Sequence, residues 1–107
     1  MGHVYLGEFE QIVLLAVWRL GEEGYGMRVR QEIETRLGRS VTIGAIYVTL
    51  ERLAQKGCTR THTGDPTAVR GGRAKRFYTI TPAGVTALEE TRRQLDRMWQ
   101  GLRRPTS

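Results

Sequence analysis

Residues 42–53 read Thr-Ile-Gly-Ala-Ile-Tyr-Val-Thr-Leu-Glu-Arg-Leu and predict a helix with two very different sides. Thr42 is a good N-cap, and the helix is expected over residues 43–56. One side is an apolar stripe formed by Ile46, Leu50 and Leu53. The other side carries short side chains and then a cation, namely Gly44, Ala45, Val48, Thr49 and Arg52. Because a solvated face is normally long and charged, this side is expected to press against another surface, such as the major groove of a duplex.

Helices and strands are also predicted on both sides of this segment. Apolar residues at helical spacing predict helices over residues 7–20, 25–37 and 82–102. Alternating residues predict strands over residues 58–63 and 76–80, and the turn-forming residues between them predict a hairpin with a basic tip. The order helix, helix, helix, strand, strand, helix predicts a mainly α (α+β) chain with the winged helix-turn-helix fold.

The last helix is expected to join two copies of the chain. Thr81 is its predicted cap, and Pro82 takes the first helical position, where a missing N–H is tolerated. Spacings of three and four residues define a heptad seam with one polar member, Arg92. The apolar members, which we expect to form a homodimer, are Val85, Leu88, Leu95, Trp99 and Leu102. One compact domain therefore divides into a DNA-binding part, residues 1–80, and a dimerisation helix with a short tail, residues 81–107.

The charge of the chain favours a polyanionic partner. Seventeen Lys and Arg against eleven Asp and Glu give a net charge of +6, and all but Lys56 and Lys75 of these cations are arginine. The planar guanidinium matches phosphate oxygens well. Residues 52–76 contain seven cations and one acid, Asp65, and this region includes the hairpin tip. We expect the tip cations Arg70, Arg73 and Lys75 to follow the phosphates of double-stranded DNA.

Length and composition exclude several other classes of protein. A chain of 107 residues corresponds to one domain, and its single cysteine, Cys58, permits no internal disulfide. There is no Ser/His/Asp set, phosphate-binding glycine loop, metal-ligand motif or long apolar run, so we expect no catalytic residue, metal, cofactor or membrane span. The N-terminal residues do not resemble a signal peptide. We therefore expect a cytoplasmic protein that is not an enzyme.

Several short motifs in a fixed order resemble the PadR family of transcriptional regulators. They are Leu6-Gly7-Glu8-Phe9-Glu10, Tyr25-Gly26-Met27, Thr42-Ile43-Gly44-Ala45-Ile46-Tyr47, Leu50-Glu51-Arg52-Leu53, Lys56-Gly57, Gly71-Gly72-Arg73-Ala74-Lys75-Arg76-Phe77-Tyr78 and Thr81-Pro82-Ala83-Gly84. The single C-terminal helix is similar to that of the family's short subgroup, where it builds the dimer. The resemblance implies a homodimeric, usually repressing, DNA-binding protein. It also implies that Gly44 and Tyr47 belong to the recognition helix, and Arg73 and Lys75 to the wing.

The chain departs from the family pattern at the start of the first strand. Cys58 and Thr59 stand where the resemblance implies two aliphatic residues. Cysteine can pack as a small hydrophobe, but we expect this strand to be less firmly anchored than usual. A redox-sensing role for Cys58 is the less favoured alternative, because a sensor thiol must be exposed in electropositive surroundings.

Other residues of the predicted interface allow two interpretations each. Tyr47 either packs on the second helix or, as we favour, donates its hydroxyl to a phosphate. Thr42 caps a helix and can also contact a phosphate. Arg52 and Lys56 are either solvated cations or phosphate contacts, and Arg76 can point away from the tip.

The C-terminal seam also allows a second interpretation. Trp99 is expected in the dimer core, but two indoles could instead sandwich a planar aromatic or hydrophobic effector. Phe9 and Trp18 would line the side of that candidate pocket. Arg92 could pair with Glu89 or Asp96, or remain solvated.

Together these features predict a cytoplasmic transcription factor, a ligand-responsive repressor that binds an inverted-repeat operator as a homodimer. Two alternatives remain open. One is a winged helix that contacts an acidic protein, and the other is a nonspecific, nucleoid-type DNA-binding protein. Salt dependence and sequence preference of duplex binding distinguish all three.

Overall fold

The computed structural model describes residues 4–64 and 75–106 and contains four helices and one hairpin within them. The elements in chain order are α1 (Glu8–Leu20), a 3₁₀ turn (Gly21–Glu23), α2 (Gly26–Leu37), α3 (Ile43–Gln55), β1 (Thr59–Thr63), β2 (Arg76–Ile80) and α4 (Pro82–Trp99). This order confirms the predicted winged helix-turn-helix fold. The structure adds the 3₁₀ turn, and α4 ends three residues earlier than the heptad pattern suggested.

The first three helices enclose the core because each presents an apolar stripe to the others. Fully buried side chains come from α1, α2 and α3 alike, namely Val13, Leu14, Val17, Val29, Ile46, Leu50 and Leu53. The predicted stripe of α3 is therefore confirmed. Ile33 closes the core on α2, and Phe9 packs against its edge on α1.

Helix ends follow the signals in the sequence. The Thr42 hydroxyl accepts a hydrogen bond from the Ala45 amide at 3.2 Å, and the Thr81 hydroxyl accepts one from Gly84 at 3.0 Å. Both residues are the predicted N-caps, and each satisfies an amide that the helix cannot pair. Gly38 ends α2 with φ of +68°, a left-handed conformation that favours glycine.

The wing is an antiparallel pair in which Thr61 lies opposite Tyr78. The Tyr78 amide also donates to the Gly24 carbonyl at 2.8 Å, so β2 is attached to the turn before α2 as well as to β1. The hairpin closes through the Gly64 amide, which donates to the Lys75 carbonyl at 2.8 Å. The predicted tip contacts Arg70 and Arg73 lie outside the described residues.

Cys58, directly before β1, and Thr59, the first residue of β1, are both buried. Cys58 packs in the core, as expected of a small hydrophobe, and burial raises the pKa of its thiol. The redox alternative is therefore not favoured by its surroundings, because the thiol is not exposed. Thr59 is also buried, and its hydroxyl has no hydrogen-bond partner among the described residues. An unpaired buried hydroxyl is destabilising, which agrees with a weaker anchor for this strand.

The fourth helix divides into a packed half and an exposed half. Ala87 and Leu88 join the core of the same protomer, so Leu88 contributes to the protomer fold before any dimer contact. Towards the C-terminus Leu95, Met98 and Trp99 are exposed. Among the described helices, not one combines the length and the apolar composition that crossing a bilayer requires.

Candidate nucleic-acid interface

The exposed side of α3 carries three short side chains, together with one tyrosine and one arginine. Gly44, Ala45, Tyr47, Val48 and Arg52 are exposed on this helix, as predicted. A side chain added at Gly44 would meet nothing within 4 Å. Nothing from the described part of the chain therefore fills the space beside Gly44, and α3 can approach another surface closely there.

The prediction that Thr49 lies on the exposed side of α3 is wrong, because Thr49 is buried and only 4% exposed. Its hydroxyl donates to the Ala45 carbonyl at 2.8 Å within the same helix. The reason is its position, three residues after Ile46 and four before Leu53, which places it on the apolar side. Thr49 is therefore removed from the candidate DNA-contacting residues.

Tyr47 contacts α2 and is open to solvent at the same time. Its ring lies against Gly26, where an added Cβ would come within 2.5 Å of the tyrosine Cε1. Nevertheless 46% of Tyr47 is exposed. The packing alternative is therefore correct for the ring face, and the phosphate contact of the hydroxyl stays a prediction. Gly26 has a role that the sequence did not reveal, since only glycine leaves room for this ring.

Glu51 connects α3 to the wing. The Tyr78 hydroxyl on β2 donates to Glu51 Oε2 at 2.8 Å, and an Arg76 guanidinium nitrogen lies 3.3 Å from the same oxygen. Burial, and then this hydrogen bond to a carboxylate, raise the pKa of Tyr78 to about 12. Arg76 thus points to α3 and away from the tip, as one alternative had it. Sequence reasoning missed Glu51 and Tyr78, because their spacing along the chain gives no signal.

The end of the strand pair where the hairpin tip begins also contacts the start of α2. The Lys75 ammonium lies 4.1 Å from the centroid of the Tyr25 ring, and the Tyr25 and Phe77 rings meet edge to face at 5.4 Å. The His62 ring on β1 stacks on the Phe77 ring with their centroids 5.2 Å apart. These contacts place Lys75, the described member of the predicted wing cations, beside the N-terminus of α2.

Lys56 forms an ion pair within the protomer, so it is not a freely solvated cation, and a phosphate contact by Lys56 stays a prediction. Its ammonium donates to Glu10 Oε1 at 2.8 Å and to the Tyr5 carbonyl at 2.6 Å. Burial alone would raise the pKa of Glu10, but hydrogen bonds from Lys56 and Gly7 and the nearby charges of Lys56 and Arg52 hold it below its usual value. The pair fastens the end of α3 to α1 and the N-terminal segment.

Two of the three residues named for the candidate effector pocket line the same groove, and the binding of an effector stays a prediction. Trp18 and Trp99 line one open groove of about 530 Å³ between α1 and α4. Phe9 is not part of this groove, and an Arg39 guanidinium lies 5.8 Å from its ring centroid instead. Nine residues of α-helix make two and a half turns, so Phe9 and Trp18 must lie on opposite sides of α1. Phe9 is therefore withdrawn from the pocket.

The groove also has polar residues. Arg92 lines it and lies 4.0 Å from Asp96, in a pair that is largely solvated. This contact agrees with one predicted alternative, and an exposed pair of this length contributes little stability. Across the described part of the chain, no group of three or more His, Cys, Asp or Glu side chains is arranged to hold a metal ion.

Comparisons with known proteins identify the family. The model of the "Transcriptional regulator PadR-like family" matches residues 14–90. Transcriptional regulator Rv3488 of Mycobacterium tuberculosis is 40% identical over 76 residues, a match that spans 71% of this chain and 66% of the relative, slightly less than two thirds of its length.

Solved structures share the fold at lower identity. A PadR-like transcription factor from Bacteroides fragilis superposes with a TM-score of 0.73 at 17% identity, covering 86% of this chain and 84% of that chain. PadR of Bacillus subtilis in complex with operator DNA gives a TM-score of 0.64 at 22% identity, covering 94% of this chain and 50% of that chain. The match to the family model, which spans well over half of the sequence, shows that this chain belongs to the PadR-like family of transcriptional regulators.

Proposed function

We propose that this protein is a sequence-specific DNA-binding regulator whose α3 enters the major groove. The observation that carries the proposal is the exposed side of α3, where Gly44, Ala45 and Val48 present little bulk. A helix must approach base edges closely to read them, and long side chains would hold it away. The operator complex of the Bacillus subtilis relative supports this use of the shared fold.

Phosphate contacts are proposed on both sides of α3. Lys75, where the hairpin tip joins β2, and Arg52 on α3 are exposed cations. The exposed Thr42 at the helix N-terminus and the half-exposed Tyr47 add neutral donors. Arg70 and Arg73 belong to the same set on the strength of the sequence. Such contacts fix the register of a protein on the duplex, and they make binding sensitive to salt.

A homodimer is proposed to place two copies of α3 on one operator. The exposed apolar side chains of α4 are Leu95, Met98 and Trp99, whereas Leu102, the last member of the predicted seam, lies beyond the end of the helix and is also exposed. Leu15 and Trp18 of α1 line the same groove as Leu95 and Trp99. Val85 begins the same predicted seam nearer the core, where it is half-buried. A two-fold dimer requires an inverted-repeat operator with half-sites about 34 Å apart, or a multiple of that distance.

Repression by occluding a promoter, relieved by an effector, completes the proposal. The groove beside Trp18 and Trp99 borders the proposed dimer seam, so a planar aromatic or hydrophobic molecule bound there could change the angle between protomers. Such a molecule acts only if it binds the two dimer arrangements with different affinity.

The proposal is tested by selecting bound fragments from the source genome and titrating one of them with the protein at several salt concentrations. We expect affinity to fall steeply with salt, and random duplex to bind at least about a thousandfold more weakly. Equal affinity for all duplexes would identify a nucleoid-type protein. If the protein binds no duplex even at low salt, the alternative of a winged helix that contacts an acidic protein is supported instead.

A further inference from the structure

The exposed side of α3 contains an apolar side chain that the protomer itself does not use. We propose that Val48 reads the 5-methyl group of a thymine in each operator half-site, which makes it a specificity-determining residue. This inference rests on the proposed function, because it requires α3 to lie in the major groove.

The first observation is that Val48 is 56% exposed in the middle of a helix. A β-branched residue is a poorer helix former than alanine, because the helix restricts its χ1 angle. Burial normally compensates for this loss, but at Val48 more than half of the side chain remains in water. The valine therefore contributes little to the protomer, and its two methyl groups are available to a partner.

The second observation is the shape of the surroundings. Gly44 and Ala45 lie one turn before Val48 on the same side of α3, and an added side chain at Gly44 would reach open space. Val48 therefore extends beyond the surface formed by these two residues. When α3 lies against a duplex, the valine methyl groups are placed to reach a base edge before the backbone of the helix does.

The third step is the chemistry of the base edges. In the major groove the purine edges and cytosine N4 present hydrogen-bonding groups, whereas thymine adds a protruding 5-methyl group. Valine can neither donate nor accept a hydrogen bond. A polar edge pressed against it would lose its water without a replacement partner, which is unfavourable. A thymine methyl group instead loses apolar surface to water on contact, which is favourable.

The flanking residues limit the contact to one position. Arg52 follows Val48 by one turn, and Tyr47, Glu51 and Gln55 complete the same stretch of surface. All four carry polar groups, and Glu51 is occupied by Tyr78 and Arg76. Val48 is thus bordered by these polar side chains, and Gly44 and Ala45 one turn before it are shorter, so we expect one methyl-sensitive position in each half-site.

The test replaces thymine by uracil, which removes only the methyl group. Each thymine of a selected operator is substituted singly by deoxyuridine, and binding of wild type, Val48→Ala and the control Leu37→Ala is measured by fluorescence anisotropy. Leu37 is similarly exposed but lines a groove between α1 and α2. Thermal melting of each variant verifies that it folds.

We expect two symmetry-related positions at which uracil weakens binding of wild type about fourfold, the loss expected for one buried methyl group. At these positions Val48→Ala should bind the thymine and uracil duplexes equally, whereas Leu37→Ala should retain the fourfold difference. The inference is overturned if wild type tolerates uracil everywhere, or if Val48→Ala remains sensitive. Sequence-preferring binding would persist in either case, so the proposed function would stand. If wild type binds all duplexes with equal affinity, both this inference and the proposed function are overturned.

Discussion

The Tyr78 hydroxyl on β2 donates a 2.8 Å hydrogen bond to Glu51 on α3, and Arg76 lies 3.3 Å from the same carboxylate oxygen. Tyr78 is 2% exposed, and its hydroxyl would lose this partner if Glu51 were removed. The carboxylate thus connects the wing to α3. Arg76 offsets a negative charge that would otherwise stand beside the proposed phosphate contacts.

The first prediction concerns this connection. Tyr78→Phe should reduce the free energy of unfolding by about 1.5 kcal/mol, because it removes a hydrogen bond to a charged acceptor. Glu51→Ala should cost a similar amount, since it removes the same hydrogen bond together with the ion pair to Arg76. The double variant should lose clearly less than the sum of the two single losses. Urea denaturation measures all three, and strictly additive losses would show that the two groups do not interact.

Acidification provides the second prediction, which rests on Glu10 and Lys56. The pKa of Glu10 lies below its usual value of 4.5 in the folded protein. A lowered pKa stabilises the fold above the unfolded pKa, and this contribution disappears as the pH falls through the folded pKa. Wild type should therefore lose stability as the pH falls below about 4.5.

Glu10→Gln should remove that part of the pH dependence and reduce the stability at pH 7 by about 1 kcal/mol, because the amide oxygen can still accept from Lys56 but the acceptor is no longer charged. Glu34 on α2 is half-buried, and its pKa is also lowered, chiefly by a hydrogen bond from the Val41 amide, so Glu34→Gln provides the matched control. Denaturation from pH 7 to pH 3 compares the variants. If Glu10→Gln shows the full acid sensitivity of wild type, Glu10 does not carry the effect.

Two glycines near helix starts should respond differently to alanine. At Gly84 an added Cβ would lie 2.4 Å from the Cys58 carbonyl oxygen, which is backbone and cannot move away easily. Gly84→Ala should therefore destabilise the protein by about 2 kcal/mol or more. At Gly26 the obstacle is the Tyr47 ring, a half-exposed side chain that can rotate outward.

Gly26→Ala should consequently change stability by less than about 1 kcal/mol, since better helix propensity offsets the displacement. If Tyr47 contacts a phosphate, the same variant should weaken operator binding, because the ring leaves its position. Thermal melting and anisotropy titration separate the two effects. A Gly26→Ala protein as unstable as Gly84→Ala would mean that Tyr47 is held more rigidly than its exposure indicates.

The helices follow from local patterns in the sequence, whereas several contacts between them do not. Periodicity located the helices because burial repeats every three to four residues. Strict use of the same rule would also have placed Thr49 on the buried side of α3, and Phe9 opposite Trp18 on α1. The pairs Tyr78–Glu51 and Lys56–Glu10 are separated by 27 and 46 residues. Such pairs depend on how the elements pack, so no local pattern reveals them. Gly26 was equally hidden, because its role depends on a ring from another helix.

The wing supplies the fourth prediction. Replacing Arg73 and Lys75 together with alanine should weaken binding to specific and random duplexes alike, because phosphate contacts carry no sequence information. The slope of log affinity against log salt should fall by up to about 2 units. Arg36→Ala, which alters an exposed cation paired with Glu32 on α2, should leave the slope unchanged. Unaltered binding by the wing variant would remove the wing from the proposed interface.

The exposed half of α4 supplies the last prediction, which concerns assembly. Leu95 is 51% exposed in the protomer and borders the groove that Trp18 and Trp99 line, so a partner covering this helix would enclose it. Leu95→Asp would then bury an unpaired carboxylate in the interface, a cost that should yield monomers. Arg93→Asp introduces the same carboxylate two residues away, outside the heptad seam, and should remain dimeric. Sedimentation equilibrium distinguishes the two states, and a Leu95→Asp dimer would place the interface elsewhere. Because an inverted repeat is read by two protomers at once, the monomeric variant should also lose operator affinity while retaining weak, salt-sensitive binding to any duplex.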